Sequence, residues 1–271
     1  VGFPRSGTTM TETVLAAHPD VRTTDEQPFL GAVKRTLAAA VAGPPDDLPA
    51  LLARLTPPLR LRLRAEYAAR VQAAMGPAAG RSVLVDKLPL NIVDIALADA
   101  LFPEARVLLA LRDPRDVCLS CFQQWFELNT AMVHFLDPED TVRFYGQVMG
   151  GWLETQPHLR LPVLPVRYED TTADLEAQAR RMLEFLELPW DSGVLAGHER
   201  VVGRAVSTPS YAAVSEPVHR RAVARWRRYA EAVADWEGPL ARFLEAFGYE
   251  PASADADAAA GSSAADSDGH G

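Results

Sequence analysis

Residues 1–20 read VGFPRSGTTMTETVLAAHPD, and the fold turns on how this stretch is read. An apolar stub runs into Gly2-Phe3-Pro4-Arg5-Ser6-Gly7-Thr8-Thr9. A helical pattern follows and stops at His18-Pro19, because the residue before proline is pushed out of the helical region. Strand, glycine loop and helix together form the arrangement in which backbone N–H groups at a helix N-terminus cradle an anion. Gly2 and Gly7 keep the spacing of G-x-x-x-x-G-K-[ST], but Thr8 stands where that motif needs the lysine that grips the β- and γ-phosphates. The cation lies inside the loop instead, at Arg5, while Thr9 retains the hydroxyl. The stretch predicts an anion held by N–H groups, Arg5 and hydroxyls without a metal. The plainer alternative is a structural glycine turn.

Working outward, the pattern predicts a short extended piece near 21–23, a polar loop at Asp25-Glu26-Gln27-Pro28, and a helical insertion over about 30–80, broken at Gly43-Pro44-Pro45 and Pro57-Pro58. Short apolar runs at 82–87, 106–111 and 163–166 read as buried strands. Helices are expected at 91–101, 114–126 (with Pro at its favoured first turn), on to about 159, then 171–188, 218–234 and 239–247. In the 171–188 helix Leu175, Ala179, Met182, Leu183 and Leu186 share one face. Strands that alternate with helices and end in charged residues predict an α/β fold: a P-loop-like, three-layer arrangement with a central parallel sheet flanked by helices. Ligands in such folds bind at the carboxyl ends of the strands. The domain is expected to span 1–250, with 251–271 a low-complexity acidic tail expected to be disordered.

The chain has 271 residues and a formal net charge of −9. The tail after Pro251 holds four Asp and no Lys or Arg, so much of that excess lies outside the domain. An acidic domain argues against a nucleic-acid partner. No apolar run has the length of a membrane-spanning helix. Val1 falls inside the first expected strand and no Met precedes it, so the chain reads as a fragment, N-terminally truncated. Its Ala/Arg/Asp bias suggests a cytoplasmic protein of a GC-rich genome. The pair Cys118 and Cys121 form a CxxC inside an expected helix; one such pair cannot supply four zinc ligands, and packing is favoured over redox chemistry.

Three clusters are expected to meet the loop: Asp86-Lys87, Arg112-Asp113-Pro114-Arg115-Asp116 with Ser120, and Ser207-Thr208-Pro209-Ser210. Arg112 and Ser120 offer a fixed fork plus a hydroxyl for a second phosphate; a salt bridge from Arg112 to Asp113 or Asp116 is the alternative. Lys87 is either an anion ligand or a solvated strand-end charge. Asp86 is preferred as a structural carboxylate over a metal ligand. Glu26 is either a general base or a surface carboxylate. The histidines, His18 among them, show no paired arrangement.

These residues resemble the sulfotransferases that use 3′-phosphoadenosine-5′-phosphosulfate (PAPS). Pro4-Arg5-Ser6-Gly7-Thr8-Thr9 is similar to their 5′-phosphosulfate loop, and Arg112 to Asp116 with Ser120 to their 3′-phosphate motif. The tyrosylprotein-sulfotransferase-like branch, whose bacterial members often carry upstream repeats, matches best. It is marked by Ala-His-Pro-Asp-Val at 17–21, Glu26, Asp86-Lys87-Leu88-Pro89, Ser210 with Pro217-Val218, Arg225-Trp226 and Phe247-Gly248-Tyr249. The resemblance covers about 1–250. It implies that Arg5, Ser6, Gly7, Thr8 and Thr9 bind the 5′-phosphosulfate, and Arg112 and Ser120 the 3′-phosphate. Tyr168 and Arg225 would contact the nucleotide. Glu26 would be the catalytic base, with Arg5, Lys87 and Ser210 stabilising the transferring sulfonate and the leaving phosphate. Gln124, Ala213 and Glu216 depart from the family pattern. The implied reaction moves a sulfonate from PAPS to a hydroxyl by in-line displacement, without a metal and with PAP as product. The acceptor stays open among peptide tyrosine, a small phenol, a glycan or a lipid, and a homodimer is among the assemblies admitted. Arg220, Arg221, Arg225, Arg227 and Arg228 line a groove for acidic flanks or form a solvated helix face; the second is favoured. The rivals are a P-loop kinase or NTPase using Mg-ATP, against which Thr8 argues, and a non-catalytic nucleotide-binding module, against which Glu26 and Lys87 argue.

Overall fold

The glycine loop leads directly into α1 (Thr8–Ala16) in a computed structural model that describes residues 1–76, 83–197 and 220–252. After α1 come β1 (Val21–Thr23), α2 (Phe29–Val41), α3 (Leu48–Leu52), α4 (Pro57–Met75) and β2 (Val83–Val85). A 3-10 turn at Pro89–Asp94 precedes α5 (Ile95–Leu101), β3 (Val107–Leu111) and α6 (Pro114–Phe122). Then follow α7 (Pro138–Thr155), β4 (Val163–Arg167), α8 (Tyr168–Ala173), α9 (Leu175–Phe185) and α10 (Glu237–Phe247).

Two compact units divide the chain, Val1–Arg112 with Gly150–Arg221 and Asp113–Met149 with Ala222–Gly271. In the first unit every described strand pairing is parallel. β1 lies beside β2 with Thr23 opposite Val85, and β3 lies beside β4 with Leu111 opposite Arg167. Gly2 adds a parallel bridge to Ala110. The expected central sheet thus appears as two parallel pairs plus this bridge. A cavity of about 670 Å³ runs between them, lined by Val83 and Val85 on one side and Val107 and Leu108 on the other, with Val1 at its wall.

Two apolar clusters hold the unit. Val14 and Leu15 of α1 pack with Val21, Val166 and the α9 face Ala179, Met182 and Leu183. The expected partners Leu175 and Leu186 lie partly buried against the same cluster. The inserted helices have their own cluster, with Leu30, Val33 and Leu37 of α2 packed against Leu51, Leu63, Leu97 and Leu101. Truncating a fully buried leucine such as Leu37 to alanine costs about 2–5 kcal/mol.

Local chemistry explains where the elements begin and where the expectations miss. Pro57 and Pro58 open α4 rather than merely interrupting a helix, with Thr56 Oγ1 accepting from the Leu59 N–H at 3.4 Å. The expected 171–188 helix is two helices, since Asp174 leaves helical geometry and caps α9 by accepting from the Ala177 N–H at 2.9 Å. α6 stops at Phe122 rather than reaching 126.

In the second unit, Tyr145 of α7 meets Phe243 of α10 edge-on, with ring centroids 5.3 Å apart. α10 ends at Gly248, whose φ of 70° lets the Tyr249 N–H reach back to the Leu244 carbonyl at 2.8 Å. That left-handed cap is where glycine is cheapest. The expected 218–234 helix does not form over its described part; 225–229 is a short 3-10 turn after Ala224, itself left-handed at φ 53°. Arg227 and Arg228 are exposed there. Cys118 and Cys121 are buried thiols on α6, and burial pushes the Cys118 thiol well up.

Candidate active site

The glycine loop approaches β3 more closely than a side chain allows. A Cβ on Gly2 would lie 2.7 Å from both the Ala110 carbonyl oxygen and Ser6 Oγ. Arg5 (φ 68°) and Gly7 (φ 103°) are both left-handed, a conformation that costs a residue with a Cβ about 1–2 kcal/mol. For Arg5 this is strain of the kind that clusters at ligand sites. No side chain caps α1, so its first-turn N–H groups and positive dipole end are not spent on the helix's own side chains. Ser6, Thr8 and Thr9 are buried around this terminus.

The ends of β3 and β4 bring two more of the expected ligands to the loop. Arg112 follows β3 and donates from Nη1 to the Arg5 carbonyl at 3.3 Å. Its guanidinium carbon lies 4.9 Å from the ring centroid of Tyr168, the first residue after β4. Tyr168 also packs on the loop: a Cβ on Gly7 would meet its ring at 3.1 Å. Loop, Arg112 and Tyr168 therefore form one cluster built by strand ends that pair in parallel.

A second cluster comes from the ends of β1 and β2. The Thr24 N–H donates to the Val85 carbonyl at 3.2 Å, and the Lys87 N–H to Thr24 Oγ1 at 3.1 Å. Asp86 accepts from Tyr67 Oη at 2.6 Å and Thr24 Oγ1 at 3.2 Å. Burial pushes the Asp86 carboxyl above the usual carboxylate range, while hydrogen bonds from Tyr67, Thr24 and Asn91 pull it back. Burial and the Asp86 carboxylate push the Tyr67 phenol well up. These bonds tie Asp86 to Tyr67 of α4, to Thr24 and to Asn91. No group of three or more potential metal ligands occurs among the described residues.

Lys87 is 4% exposed, not a solvated charge. Its ammonium donates to Glu26 Oε1 and lies 2.9 Å from Glu12 Oε2. Glu26 is partly exposed, and it and Asp25 are consecutive left-handed residues, with φ 62° and 48°. Glu12 is a site residue the sequence reading missed. Thr8, Glu12 and Leu15 fall on one face of α1, so a carboxylate on a core-facing helix position was the available signal. Thr8, Thr11, Glu12, Asp86 and Lys87 line the same cavity.

Other expected ligands belong to the second unit. Ser120 is half-buried on α6 and Arg225 begins the 3-10 turn. Asp113 and Arg115 of the same motif are structural. Asp113 caps α6 and pairs with Arg115 at 2.8 Å; Arg115 also reaches Glu237 at 2.7 Å and stacks on Trp226 at 3.8 Å. Asp116 Oδ1 accepts from the Trp226 N–H at 2.7 Å. Ser210, Ala213 and Glu216 lie outside the described residues. His18 is buried, accepting from the Asp20 N–H and bonded to the Pro189 carbonyl.

The arrangement is an anion cradle beside a lysine–carboxylate pair at the carboxyl ends of parallel strands. The chain is 30% identical over 236 residues to an uncharacterised protein of Aquifex aeolicus, covering 84% of this chain and 30% of that one. It is 28% identical over 261 residues to protein-tyrosine sulfotransferase A of Caenorhabditis elegans, covering 92% and 66%. The chain thus spans less than two thirds of these relatives. Among solved structures it superposes on the sulfotransferase domain of the curacin biosynthetic pathway with a TM-score of 0.59 at 15% identity, covering 92% and 96%. It superposes on the sulfotransferase STF9 of Mycobacterium avium with a TM-score of 0.53 at 16% identity, covering 93% and 76%. The fold is therefore the P-loop-like α/β fold of sulfotransferase domains. With the profile of the Sulfotransferase family matching residues 1–192, the chain belongs to the sulfotransferase family.

Proposed function

We propose that the chain transfers a sulfonate group from PAPS to an acceptor hydroxyl, with the tyrosyl phenol of a peptide as the preferred acceptor class. The observation that carries this is the pairing of Lys87 with Glu26 beside a helix N-terminus without a side-chain cap, on a loop whose cation is Arg5. The donor's contribution is a sulfonate already activated by its bond to phosphate; the protein's contribution is positioning and charge. The N–H groups at the uncapped start of α1 suit an anion. Arg112, stacked on Tyr168, suits a phosphate next to an aromatic ring. Lys87 supplies positive charge where charge builds on the transferring group and on the leaving oxygen. Glu26 takes the proton from the acceptor oxygen as that oxygen bonds to sulfur and the bond from sulfur to the phosphate oxygen breaks. Such a base contributes roughly 10²–10⁴-fold in rate. A phenol, with an unperturbed pKa of about 10, gives up its proton more readily than an alkanol. The relatives named as protein-tyrosine sulfotransferases favour the phenol.

The test is transfer of labelled sulfonate from PAPS, with EDTA present, to tyrosine peptides and to simple phenols, sugars and alcohols. Label on a tyrosine peptide supports the reading, and label on another acceptor alone corrects its acceptor half. Hydrolysis or transfer from Mg-ATP, with no sulfonate moved, overturns it.

A further inference from the structure

We propose that Glu12 is a positioning residue that anchors the Lys87 ammonium at all times, leaving Glu26 as its exchangeable partner. The inference rests on the sulfotransfer reading above and divides the labour within that site.

One ammonium faces two carboxylates, but their surroundings differ. Glu12 is 2% exposed, on the regular backbone of α1, four residues after Thr8. Glu26 is 20% exposed, on a turn of two left-handed residues. A buried carboxylate that loses its cation becomes an uncompensated buried charge, which is strongly destabilising. A partly exposed carboxylate regains water when it leaves its cation, at a lower cost than a fully buried one. Glu12 is thus bound to keep Lys87, while Glu26 is able to leave it. That matches what each must do: a base has to turn towards the acceptor hydroxyl, whereas the lysine must stay where charge develops. The helix that carries Glu12 also carries the anion loop at its N-terminus. The anchor therefore ties the height of Lys87 to the position of the bound anion, one turn away along the same helix.

The chain contains two lysines, Lys34 and Lys87, and Lys34 of α2 pairs at 2.6 Å with Asp94 of the 3-10 turn before α5. Labelling with ¹⁵N-lysine therefore gives two side-chain ammonium signals, assigned by Lys34→Arg. Exchange of the ammonium protons with water is read on the unliganded full chain, with Lys34 as the internal control of fold. Lys87 is expected to be protected in the wild type, to exchange about tenfold faster or more in Glu12→Gln, and to stay within about twofold of wild type in Glu26→Gln. In turnover, Glu12→Gln is expected to lower kcat by roughly 10²-fold with the donor KM held within a few-fold, the signature of a group displaced by about 1 Å. Should Glu12→Gln fail to fold, Glu12→Asp keeps the charge, shortens the reach by one carbon and is expected to show the same two losses in smaller measure. An unprotected Lys87 in the wild type, or protection lost in Glu26→Gln and kept in Glu12→Gln, overturns the anchor. If the wild type transfers sulfonate while Lys87 ignores Glu12→Gln, the anchor falls and the reaction stands. If Lys87 behaves as expected but no sulfonate moves, the anchor stands and the reaction falls.

Discussion

Glu26 sits in a turn that few sequences adopt, with two consecutive non-glycine residues at positive φ. Each such residue costs of order 1–3 kcal/mol and persists only where the surroundings over-determine it. Here the bonds that Thr24 makes with Val85, the Lys87 N–H and Gln27 supply that constraint. Glu26→Gln keeps the shape and removes the base. Turnover is expected to fall by roughly 10²–10⁴-fold, with donor affinity by calorimetry staying within a few-fold. A collapse of affinity with normal turnover per bound enzyme would show that Glu26 is not the base. The thiols of Cys118 and Cys121 make a second residue-scale test. Buried on α6, with burial raising Cys118, they are expected to react with a disulfide reagent only on unfolding; rapid reaction of the native protein would revive the redox reading. At this scale the sequence singles out residues where a motif carries them: Arg5 to Thr9 and Arg112 stand out by spacing, and Glu26 only through the family resemblance. Glu12 and Tyr67 do not stand out, because a lone carboxylate in a helix and a tyrosine in an insertion acquire meaning only through contacts 75 and 19 residues away in the chain.

The elements that matter most are the parallel ends of β1 and β2, latched to α4 through Tyr67 and Asp86. Asp86 is raised in the folded state, so the folded chain binds its proton more tightly than the unfolded chain does. Its contribution is therefore most favourable at low pH and is lost as pH rises from the ordinary carboxylate range through its folded value. Tyr67→Phe removes a hydrogen bond that pulls this carboxyl down. The variant is expected to lose about 1–3 kcal/mol at neutral pH and less in acid, read from denaturant midpoints across pH. An equal loss at every pH would show that Asp86 is not the group concerned. Most helices were legible from apolar spacing and from Pro and Asp at their starts. The expected helix at 171–188 failed at Asp174, whose side chain caps better than its backbone continues. The expected helix at 218–234 failed over its described part, where the Trp226 N–H turns to Asp116 instead of the preceding helical turn.

Across the whole molecule, alternation of strand and helix was enough to name the fold class, since parallel strands need crossovers and crossovers put helices on the sheet faces. Strand order and the division into two units were not legible. They depend on which strand ends pair and where contacts thin out, and neither leaves a periodic trace. Under the proposed function, the loop, Arg112 and Tyr168 make a metal-independent site for a nucleotide bearing a 3′-phosphate. The most direct test is calorimetric binding of 3′,5′-ADP in EDTA, set against ATP with and without Mg²⁺, in the wild type and in a folded Arg112→Ala variant. 3′,5′-ADP is expected to bind without metal, and the variant to lose tenfold or more in affinity. Binding of Mg-ATP with none of 3′,5′-ADP would contradict this reading of the site.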